Sequence, residues 1–194
     1  MIQNKFILLF SLFCLSIYGQ GVKTITTDIF TVEYSEKYQQ PLNISYKVEC
    51  TDGDVSRLGM SFKTYPGVIT SDDADYVDNV WDKGHLAPAA DFNCSEDMLK
   101  GTFTYLNCAL QHEGLNRGPW KELERFERDL AKIYAFVTVE IKVHFEDNPK
   151  YWLKTGALVP VGFSKTIICD GEWFEFYFPN KDVAGHDWSE FKTN

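Results

Sequence analysis

Two separated segments of the chain contain the residue types best suited to chemistry. The first reads WDKGHLAPAADF over residues 81–92 and carries Lys83 and His85 on either side of a glycine. An imidazole titrates near neutrality, so His85 can serve as a general base that takes a proton from water. The second contains Asn116, 31 positions after His85, and an amide oxygen is a hard ligand that suits Mg²⁺. Together they favour metal-assisted hydrolysis, although a histidine taken alone is also typical of a packed or surface residue.

Four residues of the second segment share one row of a predicted helix. Asn116, Trp120, Glu124 and Arg128 are spaced by four residues, which puts them on one side of an α-helix. Only Trp120 is apolar, so the other three side chains need a polar destination. Two interpretations stay open for Glu124 and Arg128. The two residues form a salt bridge with each other at the surface, or they belong to the active site. Asn116 suits a helix N-cap as well as a metal site, and both roles are compatible at a helix start.

These motifs resemble those of a known family of enzymes. The segments DKGHLAPAADF and N-x(3)-Q-x(4)-N-x(3)-W-x(2)-LE-x(3)-R are similar to the DNA/RNA non-specific endonuclease family, which includes secreted bacterial nucleases and mitochondrial endonuclease G. That family belongs to the ββα-metal, or His-Me finger, class. The similarity covers residues 43–133 and, more weakly, LVPVGFSK at 158–165. The hallmark DRGH motif of the family corresponds to residues 82–85, and its Asn metal ligand to Asn116.

The resemblance implies a role for each of several residues. His85 would be the general base, Asn116 would bind the metal, and Glu124 would reach the metal through its waters. Arg128 would lie near the scissile phosphate, and Arg57 in RLGMSFK would bind phosphate. Because a general base must be unprotonated to accept a proton, activity is expected to fall on the acid side as His85 becomes charged.

Other positions of the match are assigned less specifically. Lys63 competes with Arg57 for the role of phosphate ligand. Asn107 and Gln111 correspond to family positions that support the site, or they make ordinary hydrogen bonds at a strand end. Lys83 replaces the usual arginine of the family, and an ammonium acts as a point charge where a guanidinium can hold phosphate through two hydrogen bonds. That change bears on efficiency more than on reaction type.

The resemblance also implies a cofactor and partners. Mg²⁺ is the expected ion, with Mn²⁺ as a substitute, and DNA and RNA are the expected substrates, cut with little sequence specificity. A protein inhibitor is a candidate partner. The alternative is a nucleic-acid-binding or interaction protein with weak or no catalysis on the same scaffold.

The first 20 residues are typical of a signal peptide. Lys5 supplies a positive charge, the apolar run FILLFSLFCLSIYG has 14 residues, and GQG at 19–21 offers a cleavage pattern. The run is shorter than the roughly 20 residues that span a bilayer, which argues against an anchor. We therefore expect residues 1–20 to be removed and residues 21–194 to form a single secreted or periplasmic endonuclease domain, with no stable membrane association after cleavage.

The charge of the chain opposes this interpretation at first sight. The net charge is −9, and removing residues 1–20 takes away one lysine and no acid, so it becomes −10. Proteins that bind nucleic acid normally present a basic face. The conflict is resolved if Arg57, Lys83, Arg117 and Arg128 gather around one cleft while the excess acid lies elsewhere.

Cysteines and hydrophobic periodicity complete the expectation for the fold. The four cysteines after residue 20 predict one or two disulfides in an exported chain, with all three pairings open. Alternating patterns predict strands at 28–36, 43–50, 136–146, 157–169 and 172–179, a Thr- and aromatic-rich run predicts another at 101–110, and helical spacing predicts a helix at 118–133. The fold class is therefore α+β, and the resemblance implies a central antiparallel sheet with a ββα-metal finger.

Overall fold

A computed structural model describes residues 21–134, 136–149 and 151–194, so the predicted signal peptide lies outside the described residues. The eight strands within those ranges are β1 (Val22–Thr26), β2 (Phe30–Ser35), β3 (Gln40–Lys47), β4 (Trp81–His85), β5 (Cys108–His112), β6 (Val137–His144), β7 (Gly162–Cys169) and β8 (Glu172–Pro179). Six of them form an antiparallel sheet in the order β1-β2-β3-β6-β7-β8, and β4 pairs with β5 in a separate antiparallel sheet. Within the same ranges, no helix is long and apolar enough to cross a membrane.

The large sheet has one buried and one polar face because its strands alternate with a period of two. In β6, Val137, Val139, Ile141 and Val143 are buried, while the residues between them point to the other face. The buried face packs against α3 (Lys121–Ile133), which follows α1 (Glu96–Thr102) and α2 (Glu113–Leu115) in the chain. This arrangement confirms the predicted α+β class with a large antiparallel sheet.

The helix α3 is held on the sheet by its apolar stripe and by the tryptophan that precedes it. Trp120 is fully buried and its ring lies 5.5 Å from the rings of both Phe163 and Phe178. Leu123 and Leu130 extend the same stripe into the core. The paired strands β4 and β5 and this helix form the ββα unit that the resemblance implies, with α1 between the two strands and α2 between β5 and the helix.

Most of the predicted elements are confirmed, with shifted ends. The predicted strands 28–36, 43–50, 136–146, 157–169 and 172–179 correspond to β2, β3, β6, β7 and β8. β1 and β4 were not predicted, since each has only five residues and adjoins turn-forming sequence. One of the open cysteine pairings is formed, Cys50 with Cys94, and the remaining described cysteines, Cys108 and Cys169, are buried free thiols.

Two predictions of local structure were wrong. The run 101–110 is not one strand, because α1 continues to Thr102, a 3₁₀ turn spans Tyr105–Asn107, and only the last residues belong to β5. The residues of this run favour a strand, but the hydrogen bonds of the Asn107 side chain stabilise the turn instead. The helix predicted at 118–133 begins instead at Lys121, since Gly118 leaves helical geometry (φ −103°, ψ −120°) within a wide turn at Asn116–Trp120.

A pair of opposite charges lies buried between α3 and the sheet. Lys165 occupies an inward position of β7, and its Nζ lies 2.5 Å from Oε1 of Glu127; neither side chain is exposed. Tyr46 donates a hydrogen bond to the other carboxylate oxygen (2.7 Å), and the ammonium lies 4.2 Å from the centre of the Trp120 ring. A buried ion pair is tolerated only when each charge keeps its partners.

We therefore expect Glu127→Ala to lower the free energy of unfolding by about 3–5 kcal/mol, because it leaves the Lys165 ammonium buried without its counter-ion. Urea denaturation followed by tryptophan fluorescence measures the change. Glu122→Ala is the control, since it breaks an exposed pair with Arg125 on the same helix and should cost much less. Equal losses for the two variants would contradict the assignment.

Candidate active site

Strand pairing brings His85 to the centre of the ββα unit. His85 is the last residue of β4 and lies opposite Cys108 of β5, and Lys83 points to the same side of the strand two residues earlier. The glycine between them is required by close packing, because a Cβ at Gly84 would lie 2.4 Å from Oε1 of Gln111. At this position of β4, the side chain of Gln111 on β5 therefore lies too close for any residue other than glycine.

The ring of His85 is held by aromatic neighbours. Its centroid lies 4.6 Å from that of Phe62 and 4.8 Å from that of Phe103, and its Nε2 is buried with no hydrogen-bond partner. Burial, reinforced by the positive charge of Arg57, lowers the pKa of His85 to about 3. The imidazole is therefore unprotonated at neutral pH.

Asn116 is oriented by an aspartate of the first motif. Its Nδ2 donates a hydrogen bond to Oδ2 of Asp82 (2.9 Å), which leaves the amide oxygen available. The same carboxylate accepts hydrogen bonds from Nε (2.8 Å) and Nη2 (2.6 Å) of Arg117. The N-cap interpretation of Asn116 is wrong, because its backbone is helical and the ring of His112 caps α2 by accepting from Gly114 N.

The surface salt bridge between Glu124 and Arg128 is also not formed. Nη1 of Arg128 donates instead to Oδ1 of Asp91 (2.6 Å), whose side chain is completely buried. Glu124 is half-buried, and burial raises its pKa to about 7, against the opposing effect of the Lys165 ammonium. Both residues therefore have the polar destination that their place on the helix requires.

Arg57, rather than Lys63, reaches the same region. Arg57 is exposed on an irregular loop, whereas Lys63 lines a separate groove beside α1, and its backbone pairs with that of Phe103 and Tyr105. Lys83 is already neutralised, because it forms an ion pair with Asp73.

Asn107 and Gln111 do not line the cleft. The Asn107 side chain is buried; it accepts from Ala87 N (2.7 Å) and donates to the carbonyl oxygens of Ala87 (2.9 Å) and Thr102 (3.0 Å). These bonds position the chain just after His85, which is a supporting role. Gln111 is buried behind the glycine of β4, and both polar atoms of its side chain lack partners among the described residues.

The remaining site residues surround one open cleft of about 920 Å³. His85, Asn116 and Glu124 line it together with five cationic side chains, which are Arg57, Lys83, Arg117, Lys121 and Arg128. Among the described residues of this lining, Glu124 is the only carboxylate. The cations expected to gather do so, and the cleft is locally basic in an acidic chain.

Three aspartates and one lysine with a place in this site were not singled out from the sequence. Asp73, Asp82 and Asp91 each hold a cation of the cleft in an ion pair. Asp82 and Asp91 lie within the first motif, so their position beside it was the available signal. Lys121 stands at the first position of α3, one residue after the tryptophan of the second motif.

The donor atoms of the cleft fit a hard divalent ion. Across residues 21–134, 136–149 and 151–194, no three His, Cys, Asp or Glu side chains are grouped to hold a metal. Mg²⁺ does not need such a group, because it keeps several waters and uses few protein oxygens. The amide oxygen of Asn116 and the carboxylate of Glu124 line the same cleft and are of this kind.

Comparison with known proteins settles the family. The profile of the DNA/RNA non-specific endonucleases matches residues 16–194. The chain belongs to this family. It is 29% identical to the mitochondrial nuclease EXOG of Danio rerio over 113 residues, which are 56% of this chain and 33% of that protein. It is 39% identical to the mitochondrial endonuclease G of Homo sapiens over 125 residues, 57% of this chain and 42% of that protein.

The same fold is found in a solved structure. The crystal structure of the EndoG/EndoGI complex superposes with a TM-score of 0.77 at 23% identity, covering 88% of this chain and 80% of the other. The curated relatives described above are longer, and this chain spans less than half of their length. Family and fold are thus established for the described domain.

The burial of His85 changes the pH dependence expected from the sequence. With a pKa of about 3 the ring stays neutral from pH 5 to 8, so any acid limb due to its protonation falls below pH 5. We expect an NMR titration, with the signal assigned by His85→Gln, to show no midpoint near 6.5. The same ring in urea-unfolded protein should titrate near its ordinary value. A folded-state midpoint near 6.5 would show that the ring is not buried as described.

Proposed function

We propose that the protein is a Mg²⁺-dependent endonuclease that hydrolyses phosphodiester bonds in DNA and RNA with little sequence specificity. One observation carries the proposal: an unprotonated histidine, His85, and an asparagine with a free amide oxygen, Asn116, line one basic cleft although 31 residues separate them. Membership of the endonuclease family supports the same reaction class.

The residues of the chain divide the work as follows. His85 accepts the proton of the attacking water, and its imidazole is in the unprotonated form that this role requires throughout the physiological range. Arg128, oriented by Asp91, presents its guanidinium to the phosphate undergoing attack. Asn116 and Glu124 would hold Mg²⁺, or Mn²⁺ in its place, directly and through waters. When bound, the ion would neutralise charge on the phosphoryl oxygens.

Substrate binding falls mainly to two side chains. Among the described residues, neither Arg57 nor Lys121 lies in an ion pair, and both are exposed in the cleft, whereas Lys83, Arg117 and Arg128 are each paired with an aspartate. Contacts to phosphate carry no sequence information. Few free cations also mean weak binding with a shallow salt dependence, which suits an enzyme that releases its product.

We further propose export to an oxidising compartment. The signal-like sequence of residues 1–20 and the Cys50–Cys94 disulfide support this location. A protein inhibitor remains a candidate partner, and the fold neighbour described above is an inhibitor complex of EndoG. Such a partner would have to cover Arg57 and Lys121 to exclude substrate.

A second function is favoured by one observation. Lys83 stands in place of the usual arginine and forms an ion pair with Asp73, and both features would weaken catalysis. They favour a protein that binds nucleic acid without cutting it. A nicking assay on circular duplex DNA and on RNA, with Mg²⁺ and with EDTA, separates the two functions. Mg²⁺-stimulated cutting identifies the endonuclease, and binding without cutting identifies the alternative.

In the same assay His85→Ala should reduce the rate of nicking by about 10²- to 10⁴-fold, because it removes the general base. His186→Ala is the matched control, since His186 is an exposed residue that pairs with Glu190 outside the cleft. The circular dichroism spectra of both variants should match that of the unchanged protein. Full activity of a folded His85→Ala protein would refute the assignment.

The role of Lys121 is tested by the salt dependence of KM. Lys121→Ala should raise KM several-fold and reduce the slope of log KM against log salt concentration by about 1, the loss expected for one phosphate contact. Lys154→Ala removes an exposed lysine elsewhere and should leave both quantities unchanged. An unchanged slope for Lys121→Ala would show that this ammonium does not contact phosphate.

A further inference from the structure

One wall of the cleft is an irregular loop of residues 51–62, here called the Arg57 loop. No regular helix or strand of the structure falls between Lys47 and Asp73. The cleft residues from this loop are Val55, Ser56, Arg57, Leu58, Gly59, Met60 and Phe62. The tip is highly exposed, with Leu58 92% accessible. Arg57 is therefore placed by whatever holds the two ends of the loop.

The C-terminal end of the loop, here called the far end, is held by the core. Met60 and Phe62 pack on the small cluster formed by Ala89, Leu99 and Phe103. The backbone of the next residue, Lys63, then pairs with the chain on either side of Thr104. This end is secured by apolar contacts and by main-chain hydrogen bonds.

The N-terminal, or near, end depends on a smaller set of contacts. Val55 packs on the same apolar cluster, and the remaining contacts are with one short segment. Val55 N donates to Asn93 O (3.1 Å), and Nδ2 of Asn93 donates to Gly53 O (2.8 Å). The approach is so close that a Cβ on Gly53 would lie 2.3 Å from the carbonyl carbon of Asn93. The disulfide between Cys50 and Cys94 closes this contact covalently, immediately beside Asn93 and across 44 residues of sequence.

We propose that the Cys50–Cys94 disulfide is a positioning element for substrate binding, which keeps the Arg57 loop against the cleft. The proposal rests on the function proposed above. Without the covalent link, two hydrogen bonds and the apolar contact of Val55 would have to hold the near end against the chain entropy of the loop. The loop would then sample positions from which Arg57 does not reach the substrate.

The link is chemically accessible. Cys94 is exposed, while Cys50 is buried. A dithiol reductant attacks a sulfur as its thiolate and forms a mixed disulfide, and its second thiol then releases the protein. Two electrons and two protons pass to the protein, giving two cysteine thiols, and the reductant becomes a cyclic disulfide. The other described cysteines, Cys108 and Cys169, are already buried thiols and do not change.

A functional consequence follows from this arrangement. In a reducing compartment the two cysteines stay as thiols and the enzyme binds nucleic acid weakly. After export, a dithiol catalyst in its disulfide form exchanges with the two thiols, is itself reduced to the dithiol and leaves the link formed, so that binding tightens. A producing cell would thereby be partly protected from its own nuclease. The device acts on affinity, since the general base and the metal-binding residues lie on β4, the turn Asn116–Trp120 and α3. The loop residue that contacts His85, Phe62, belongs to the end that the core holds.

The test measures the Kd of a fluorescein-labelled oligonucleotide by fluorescence anisotropy in EDTA, with and without a dithiol reductant, and scores Mg²⁺-dependent cutting separately. Reduction should raise Kd by about three- to ten-fold. Cys169→Ser keeps the disulfide and should keep this response. The double variant Cys50→Ser/Cys94→Ser should have the raised Kd already and should not respond to reductant.

Arg57→Ala distinguishes positioning from general loosening. Since the disulfide is proposed to act through Arg57, adding Arg57→Ala to the double cysteine variant should raise Kd by less than Arg57→Ala does in the unchanged protein. The inference would be overturned if Arg57→Ala raised Kd by the same factor with and without the disulfide. A Kd that does not change on reduction would also overturn it. If the double variant does not fold, the comparison is made by reducing the folded protein and the Arg57→Ala protein.

The two proposals fail in different ways. Redox-dependent Kd without any Mg²⁺-dependent cutting would refute the endonuclease function and support the positioning role of the disulfide. Cutting together with a redox-independent Kd would refute the positioning role and support the endonuclease.

Discussion

The carboxylate of Asp82 is the group on which the geometry of the cleft depends. It lies on β4, three residues before His85, and it binds the side chains of both Asn116 and Arg117. Hydrogen bonds to a charged acceptor are stronger than neutral ones. This one group therefore ties the strand that carries the proposed base to the turn that carries the proposed metal-binding amide. The helix that begins at Lys121 continues directly from that turn.

Ion pairs between aspartates and the cations of the cleft explain how an acidic chain can form a basic cleft. Asp73, Asp82 and Asp91 each form an ion pair with one cation of the cleft. Asp91 is completely buried, and although it pairs with Arg128, burial still raises the pKa of its carboxyl. Part of the acidic excess is thus structural and lies close to the cations it positions. Only the few cleft cations without such an aspartate partner remain available to the phosphates of a nucleic acid.

Burial shifts the pKa values of His85 and Glu124 in opposite directions, and in both groups it favours the neutral form. The imidazole of His85 is kept neutral by its aromatic surroundings, and the pKa of the Glu124 carboxyl is raised by partial burial on α3. Beneath them the buried ammonium of Lys165 opposes the rise at Glu124 and is itself balanced by Glu127. Perturbed groups of this kind cluster at functional sites because chemistry requires them there.

The sequence by itself determined the family, the fold class and the two motifs, since these depend on residue types, order and spacing along the chain. It also indicated that His85 and Asn116 belong together. Only the tertiary structure decided that Arg128 pairs with Asp91 rather than with Glu124, and that one of three cysteine pairings forms. Burial, hydrogen bonds and electrostatic effects depend on distances between residues remote in the chain, and local periodicity does not encode those distances.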